Sequence, residues 1–168
     1  CDVVVGPGKK WVTAAKRLVA GDVAIDMLAG ASELVVLADD TAAPAIIAAD
    51  LLAQAEHDPD ALPILVTTSR TLVDGVESEL RRQLAGLPTE ETAAAALANG
   101  FAVVVAGLGE AIAVCDHIAP EHLEVLTANA EAVARQLHNY GSLFVGPHSA
   151  EVLGDYGAGP NHVLPTGG

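Results

Sequence analysis

The sequence predicts an α/β protein: a Rossmann-like, doubly wound, mostly parallel sheet with helices on both faces, incomplete at both ends. Three observations predict it. Short β-branched runs alternate with longer helical ones along the whole chain. Several of the short runs are apolar throughout, as strands covered on both faces by crossover helices must be. Turn residues fall between the elements, at "HDPD", "GLP", "ANG" and "GPHS", which is the punctuation of repeated βαβ units.

In chain order, strands are predicted at "DVVVG" (Asp2–Gly6), "ELVVLAD" (Glu33–Asp39), "LPILVTTS" (Leu62–Ser69), "FAVVVA" (Phe101–Ala106), "HLEVLT" (His122–Thr127) and "SLFVG" (Ser142–Gly146). Each is rich in Val, Ile or Leu and bounded by breakers. Helices are predicted between them at Trp11–Ala20, Ala43–His57, Thr71–Ala85, Glu90–Ala98, Leu108–Ile118 and Glu131–Asn139. The segment "AIDMLAGAS" (Ala24–Ser32) has no clear period and reads as a crossover between two sheets. No internal repeat, low-complexity tract or Pro/Ser linker interrupts the pattern.

Composition narrows the function classes. The 168 residues fit one α/β domain, or one domain plus a piece of another,. Hydrophobic residues make up 51% but aromatics only 3%, so the core must be built from Ala, Val, Leu and Ile packed between layers. A formal charge of −14 repels phosphate backbones and anionic lipid alike, which argues against nucleic acid and membrane as partners. The longest apolar runs, such as "FAVVVAGLG", are about half of the roughly 20 residues that cross a bilayer. Cys1 and Cys115 form neither a disulfide framework nor a CxxC pair, as expected of a cytoplasmic protein in a reducing compartment. The chain starts with Cys1, is strand-like by its second residue and stops at "LPTGG", so both ends read as cut from something larger.

Four segments carry candidate chemistry. In "DLLAQAEHDPD", Asp50, Gln54 and His57 are spaced i, i+4, i+7 and share one helix face, away from Ile46, Ile47, Leu51 and Leu52,. A lone histidine near a helix end ordinarily just satisfies terminal carbonyls; three polar groups on one face also read as a ligand set. "IAPEHLEV" places Glu121 and His122 between a helix-ending proline and an apolar strand, a junction that suits catalytic groups. Neighbours entering a strand point to opposite sides, so the two are not expected to be a simple ion pair. Either suits a general base, since histidine titrates near neutrality and burial raises a carboxyl toward it.

"GDYGAGPNHVLPTGG" (Gly154–Gly168) is too rich in glycine to pack as an element, yet holds Asp155, Tyr156, Asn161 and His162; long loops of this kind are more often functional than idle. "VVVGPGKKW" has the strand, glycine bend and helix of a phosphate-binding turn, but matches neither GxGxxG nor GxxxxGK[ST], and a plain βα turn explains the pattern better. Cys115 lies inside a predicted helix and reads as a buried small hydrophobe,. There is no GxSxG elbow,.

Taken together in this order, "VGPGKKWVTAAKR", "IDMLAGASE", "DLLAQAEHDPD", "APEHLEV" and "GDYGAGPNHVLPTGG" resemble histidinol dehydrogenase, over the whole chain and over less than half the length of a family member. The resemblance implies a cytoplasmic homodimer that oxidises L-histidinol through the aldehyde to L-histidine, using two NAD and one bound zinc ion (Zn2+). It implies Gln54, His57 and Asp155 as metal ligands, a further histidine ligand coming from a C-terminal tail of the other subunit. It implies Glu121 and His122 as the acid/base pair, and Ser32, Gln54, His57, His122, Asp155 and His162 as the substrate-binding set.

Two departures from the family pattern stand out. The motif "GPSE" reads "GASE", with Ala31 for proline, and Lys9 occupies the position of an asparagine near the nicotinamide cofactor, where a point charge replaces an amide's paired donor and acceptor,. The resemblance further implies that residues 1–25 end one Rossmann-like domain and 26–168 form most of a second, which carries the zinc and acid/base residues. On this reading the 168 residues alone are inactive. Two other readings stay open: a non-catalytic metal-binding or structural α/β module derived from this family, and a dehydrogenase with a cysteine nucleophile, against which the helical placement of Cys115 argues.

Overall fold

The computed structural model describes residues 1–6, 10–28, 30–154, 164 and 166. Two sheets are present among them. A small parallel pair joins β1 (Val3–Val4) to β2 (Ala24–Ile25), with α1 (Lys10–Val19) between them in sequence. The strand β2 falls in the segment without clear period: two residues in a ladder are too few to leave a pattern. This unit is tied by a charge. Lys16, the buried residue of α1, donates from Nζ to the Gly6 carbonyl and, at 2.6 Å, to Asp26 Oδ1. The Gly6 amide donates at 2.9 Å to Asp26 Oδ2. These hydrogen bonds hold the Asp26 carboxyl well below the usual carboxylate range, the Gly6 amide contributing most,.

The main sheet has five strands, β3 (Glu33–Ala38), β4 (Leu62–Thr67), β5 (Phe101–Val104), β6 (His122–Leu126) and β7 (Ser142–Val145), in spatial order β5-β4-β3-β6-β7 and parallel throughout. The connections are α2 (Pro44–Ala55), α3 (Arg70–Leu84), α4 (Glu90–Leu97), α5 (Leu108–Ile118) and the short α6 (Ala130–Ala134); a 3-10 turn, Glu151–Gly154, follows β7. The strand order reverses between β3 and β6, as in a doubly wound sheet.

Period-two alternation divides the core between the two faces. Leu34, Val36, Ala38, Leu65 and Leu126 pack with Ile47, Ala48 and Leu51 of α2 and with Leu72 and Val76 of α3. Val35, Leu37, Ile64, Val66, Leu123 and Val125 pack on the other face with Ala111 and Cys115 of α5 and with Val133 and Leu137. Small residues, Ala55, Ala61, Ala93 and Ala96, let α2 and α4 approach closely around Leu52. Helix starts follow local chemistry: Pro44 opens α2, and the Ser69 hydroxyl caps α3 by accepting from the Leu72 amide at 3.2 Å,.

The predicted elements lie where the alternation places them, several of them shorter: the strand over Asp2–Gly6 is Val3–Val4 alone and that over Phe101–Ala106 ends at Val104. The helix expected over Glu131–Asn139 ends at Ala134. Asp116 Oδ1, at the end of α5, accepts from the backbone amides of His138 (2.8 Å) and Asn139 (3.0 Å), and the Asn139 side chain donates back to the Asp116 carbonyl. A tertiary contact thus takes amides that a longer helix would have used.

Cys115 is buried in the second core face, as its helical position predicts. Burial, with the Asp116 charge adding to it, pushes its thiol up to about 12, so it holds its proton at neutral pH. Maleimide labelling of the native protein followed by peptide mapping is expected to leave Cys115 unmodified; labelling at the rate of an exposed cysteine would contradict this packing. Among the described residues no helix is long and apolar enough to cross a membrane.

Candidate active site

Because β3 and β6 are parallel neighbours and α2 runs back across them, the starts of both strands and the end of α2 lie at the same edge of the sheet. The candidate residues gather at this amino edge. Doubly wound sheets ordinarily bind ligands at the opposite, carboxyl edge. At that edge Asp39 ties the two loops of the switch point together, its carboxylate accepting from the Thr41 amide (3.0 Å), the Thr41 hydroxyl (2.5 Å) and the Ala128 amide (2.9 Å).

Glu121 and His122 are delivered by a tight turn. The helix α5 ends on Ala119 in the left-handed conformation (φ 49°, ψ 57°), its amide bonded to the Cys115 carbonyl at 2.9 Å, and Pro120 follows. A non-glycine residue pays about 1–2 kcal/mol for that conformation. The next residues dock on the start of β7: Gly141 donates to the Pro120 carbonyl (2.9 Å) and Ser142 to the Glu121 carbonyl (2.8 Å).

Both side chains then grip the main chain of one residue, Glu33, on the neighbouring strand. The Glu33 amide donates to Glu121 Oε2 at 3.2 Å, and His122 Nδ1 lies 3.1 Å from the Glu33 carbonyl oxygen. The Ser32 hydroxyl lies beside the Glu121 carboxylate and favours its charged form. The two neighbours are consequently close, Glu121 Oε2 lying 3.8 Å from His122 Nδ1, which corrects the expectation that they would diverge. The strand begins only at His122; Glu121 precedes it and is not bound by the alternation of strand side chains.

A carbonyl oxygen can only accept, so the imidazole donates from Nδ1 and Nε2 becomes its basic nitrogen. Burial pushes the Glu121 carboxyl up to about 7, against the pull of the Glu33 amide and the Ser32 hydroxyl. A carboxyl poised there exchanges its proton near neutral pH, as a general acid or base requires. Ser32, Glu121 and His122, read from separate motifs, are thus one constellation.

The candidate ligand face divides. Asp50 is drawn inward, where its carboxyl meets that of Glu124 on β6. Gln54, one turn further along α2, is buried, and among the described residues its Oε1 has no hydrogen-bond partner. Four helical residues and two strand residues advance similar distances, about 6 Å, so α2 carries Gln54 toward the level of His122 just as it brings Asp50 to Glu124. His57 is exposed in the turn beyond the end of α2, its amide bonded to the Gln54 carbonyl at 3.4 Å. Lys9, Asp155 and His162 lie outside the described residues. Among the described residues no three His, Cys, Asp or Glu side chains form a group able to hold a metal.

The model of the histidinol dehydrogenase family matches residues 1–168 of this chain. The chain belongs to the histidinol dehydrogenase family. It is 57% identical over 168 residues to histidinol dehydrogenase of Nitratidesulfovibrio vulgaris and 51% identical to that of Desulfotalea psychrophila, covering 99% of this chain and 38% and 39% of those proteins. The crystal structure of histidinol dehydrogenase from Elizabethkingia anophelis superposes with a TM-score of 0.94 at 42% identity, over 100% of this chain and 39% of that one. The chain spans about two fifths of the length of these histidinol dehydrogenases. The family is one of oxidoreductases.

The Asp50–Glu124 pair escaped the sequence reading: Glu124 looks like one polar residue in an apolar strand, and only the packing of α2 on β6 reveals its partner. Burial, with the Asp50 charge beside it, raises the Glu124 carboxyl to about 9 from an ordinary 4.5. The folded state therefore binds this proton more tightly than the unfolded chain, and its contribution to stability is lost as pH rises from about 4.5 through 9,. Glu124→Gln is expected to flatten that slope, the variant gaining several degrees in Tm relative to the parent between pH 5 and pH 9 at about 2–4 °C per kcal/mol. Parallel thermal melts that keep a constant gap would refute it.

Proposed function

We propose that the protein containing this chain oxidises L-histidinol to L-histidine in two NAD-dependent steps on a zinc-bound substrate, as a homodimer. The observation that carries the reading is the junction of Ser32, Glu121 and His122 on the Glu33 main chain, a carboxyl near neutrality beside an imidazole whose Nδ1 faces a carbonyl.

The residues present fit a metal. Gln54 Oε1 is a buried acceptor without a hydrogen bond, which a cation would satisfy, and nitrogen and oxygen donors of this kind suit zinc. Gln54 and His57 would hold it, with Asp155 as a further ligand; zinc would supply a Lewis-acid anchor for the substrate's imidazole and amine. NAD would accept the hydride.

Oxidising an alcohol by hydride loss requires that the hydroxyl proton leave as well. His122 takes that proton at Nε2. In the second oxidation the aldehyde is hydrated, one water adding across the carbonyl, and Glu121 accepts a proton from the attacking water. Each turnover then takes up one water and yields two NADH and, with the product carboxyl ionised, three protons. Ser32 and the Glu33 amide orient the Glu121 carboxylate throughout, while His162 and Lys9 belong to the substrate and cofactor sides of the same reading.

The deciding experiment measures NADH and zinc on the protein expressed from the full open reading frame and supplied with histidinol. Two NADH per histidinol with about one zinc per subunit establish the reading. Bound zinc without turnover would point instead to a ligand face that survives in a non-catalytic module.

A further inference from the structure

We infer that Glu151 is a positioning residue for His122, holding the imidazole from the side opposite to the Glu33 carbonyl. This rests on the proposed role of His122 as base. Glu151 opens the 3-10 turn after β7, far from "PEHL" in sequence, and none of the motifs above includes it.

The geometry is that of a ring held at both nitrogens. Nδ1 faces the Glu33 carbonyl at 3.1 Å, and Nε2 faces Glu151 Oε1 at 3.6 Å. The His122 and Glu151 side chains are each 4% exposed. Phe144 of β7 lies against the ring, centroids 6.2 Å apart and planes at 41°. A separation of 3.6 Å is longer than a hydrogen bond but within ion-pair range. The carboxylate therefore leaves Nε2 able to take a proton from substrate, and becomes its counter-charge once the imidazolium forms.

A buried carboxylate beside a catalytic imidazole has two effects: it selects the tautomer, and it stabilises the cation that proton abstraction creates. In the neutral ring the nearer Glu33 carbonyl keeps the proton on Nδ1, and the carboxylate facing Nε2 favours the imidazolium over that neutral ring, which makes Nε2 a stronger base,. Charge supplied at Nε2 acts on the transition state, not on substrate affinity. Its removal should appear in kcat and leave KM nearly alone.

The test uses Glu151→Gln and Glu151→Asp in the protein from the full open reading frame, labelled with 15N-histidine, the His122 signals being identified by their loss in His122→Asn. The expected result for Glu151→Gln is a fall in kcat of about 10²-fold or more, within the range of a lost acid/base contribution, with histidinol KM within about twofold, zinc content unchanged, and His122 ring-nitrogen shifts moved toward the neutral Nδ1–H pattern, the ring protonating only at lower pH than in the parent; Glu151→Asp recovers part of each. Unchanged His122 shifts in Glu151→Gln overturn the inference, whether kcat is retained or falls together with zinc. A parent that never oxidises histidinol fails the functional reading instead, and the nitrogen shifts then decide the contact on their own.

Discussion

His122→Asn, in the protein expressed from the full open reading frame, is expected to lower the rate of histidinol oxidation by about 10²–10⁴-fold, the range for loss of a positioned general base. Asparagine retains a side-chain amide that can still donate to the Glu33 carbonyl, which His122 Nδ1 now faces at 3.1 Å, so the edge of the sheet should stay assembled while the basic nitrogen disappears. Glu121→Gln should separate the two steps. It keeps an oxygen for the Glu33 amide (3.2 Å) and the Ser32 hydroxyl, and removes the carboxyl poised at about 7. Aldehyde oxidation should then slow more than alcohol oxidation. Stopped-flow NADH formation from histidinol and from histidinaldehyde measures both, and parent-like rates in both variants would remove Glu121 and His122 from the chemistry.

The second large effect is structural and comes from a residue no motif marks. Gly141 opens the approach to β7, and a Cβ built there would stand 2.5 Å from the Glu121 carbonyl oxygen and 3.3 Å from the Leu164 Cβ. The obstacle is backbone, held by the Ser142 amide at 2.8 Å, so it cannot rotate away as a side chain would. Gly141→Ala should cost about 1–3 kcal/mol, the usual penalty of forcing atoms into a packed site. It should also move Glu121 and reduce turnover in the molecules that remain folded. Denaturant unfolding and kcat on the same preparation test this; a variant equal to the parent in both would mean that the β6–β7 edge yields more easily than its hydrogen bonds suggest. The glycine is needed for close approach, not for an unusual φ, and so nothing in "NYGSLF" announces it.

What the sequence by itself determined is the layer architecture and the identity of the reactive groups. Apolar runs such as "ELVVLA" and "LPILVT" could be satisfied only by burial on both faces,, and breakers between them left few topologies. "PEHL" and "QAEH" announced their residue types directly. Tertiary structure alone decided what those groups touch. Asp50 and Gln54 sit four residues apart on one face, yet Asp50 pairs with Glu124 while Gln54 keeps an unsatisfied oxygen, because β6 lies beside β3 beneath α2. Glu121 and His122 converge on Glu33, 88 and 89 residues away, and Glu151 reaches the same ring from beyond β7. Periodicity encodes which face a residue takes within its own element; which neighbour that face meets depends on strand order, and strand order is set by the packing of the whole sheet.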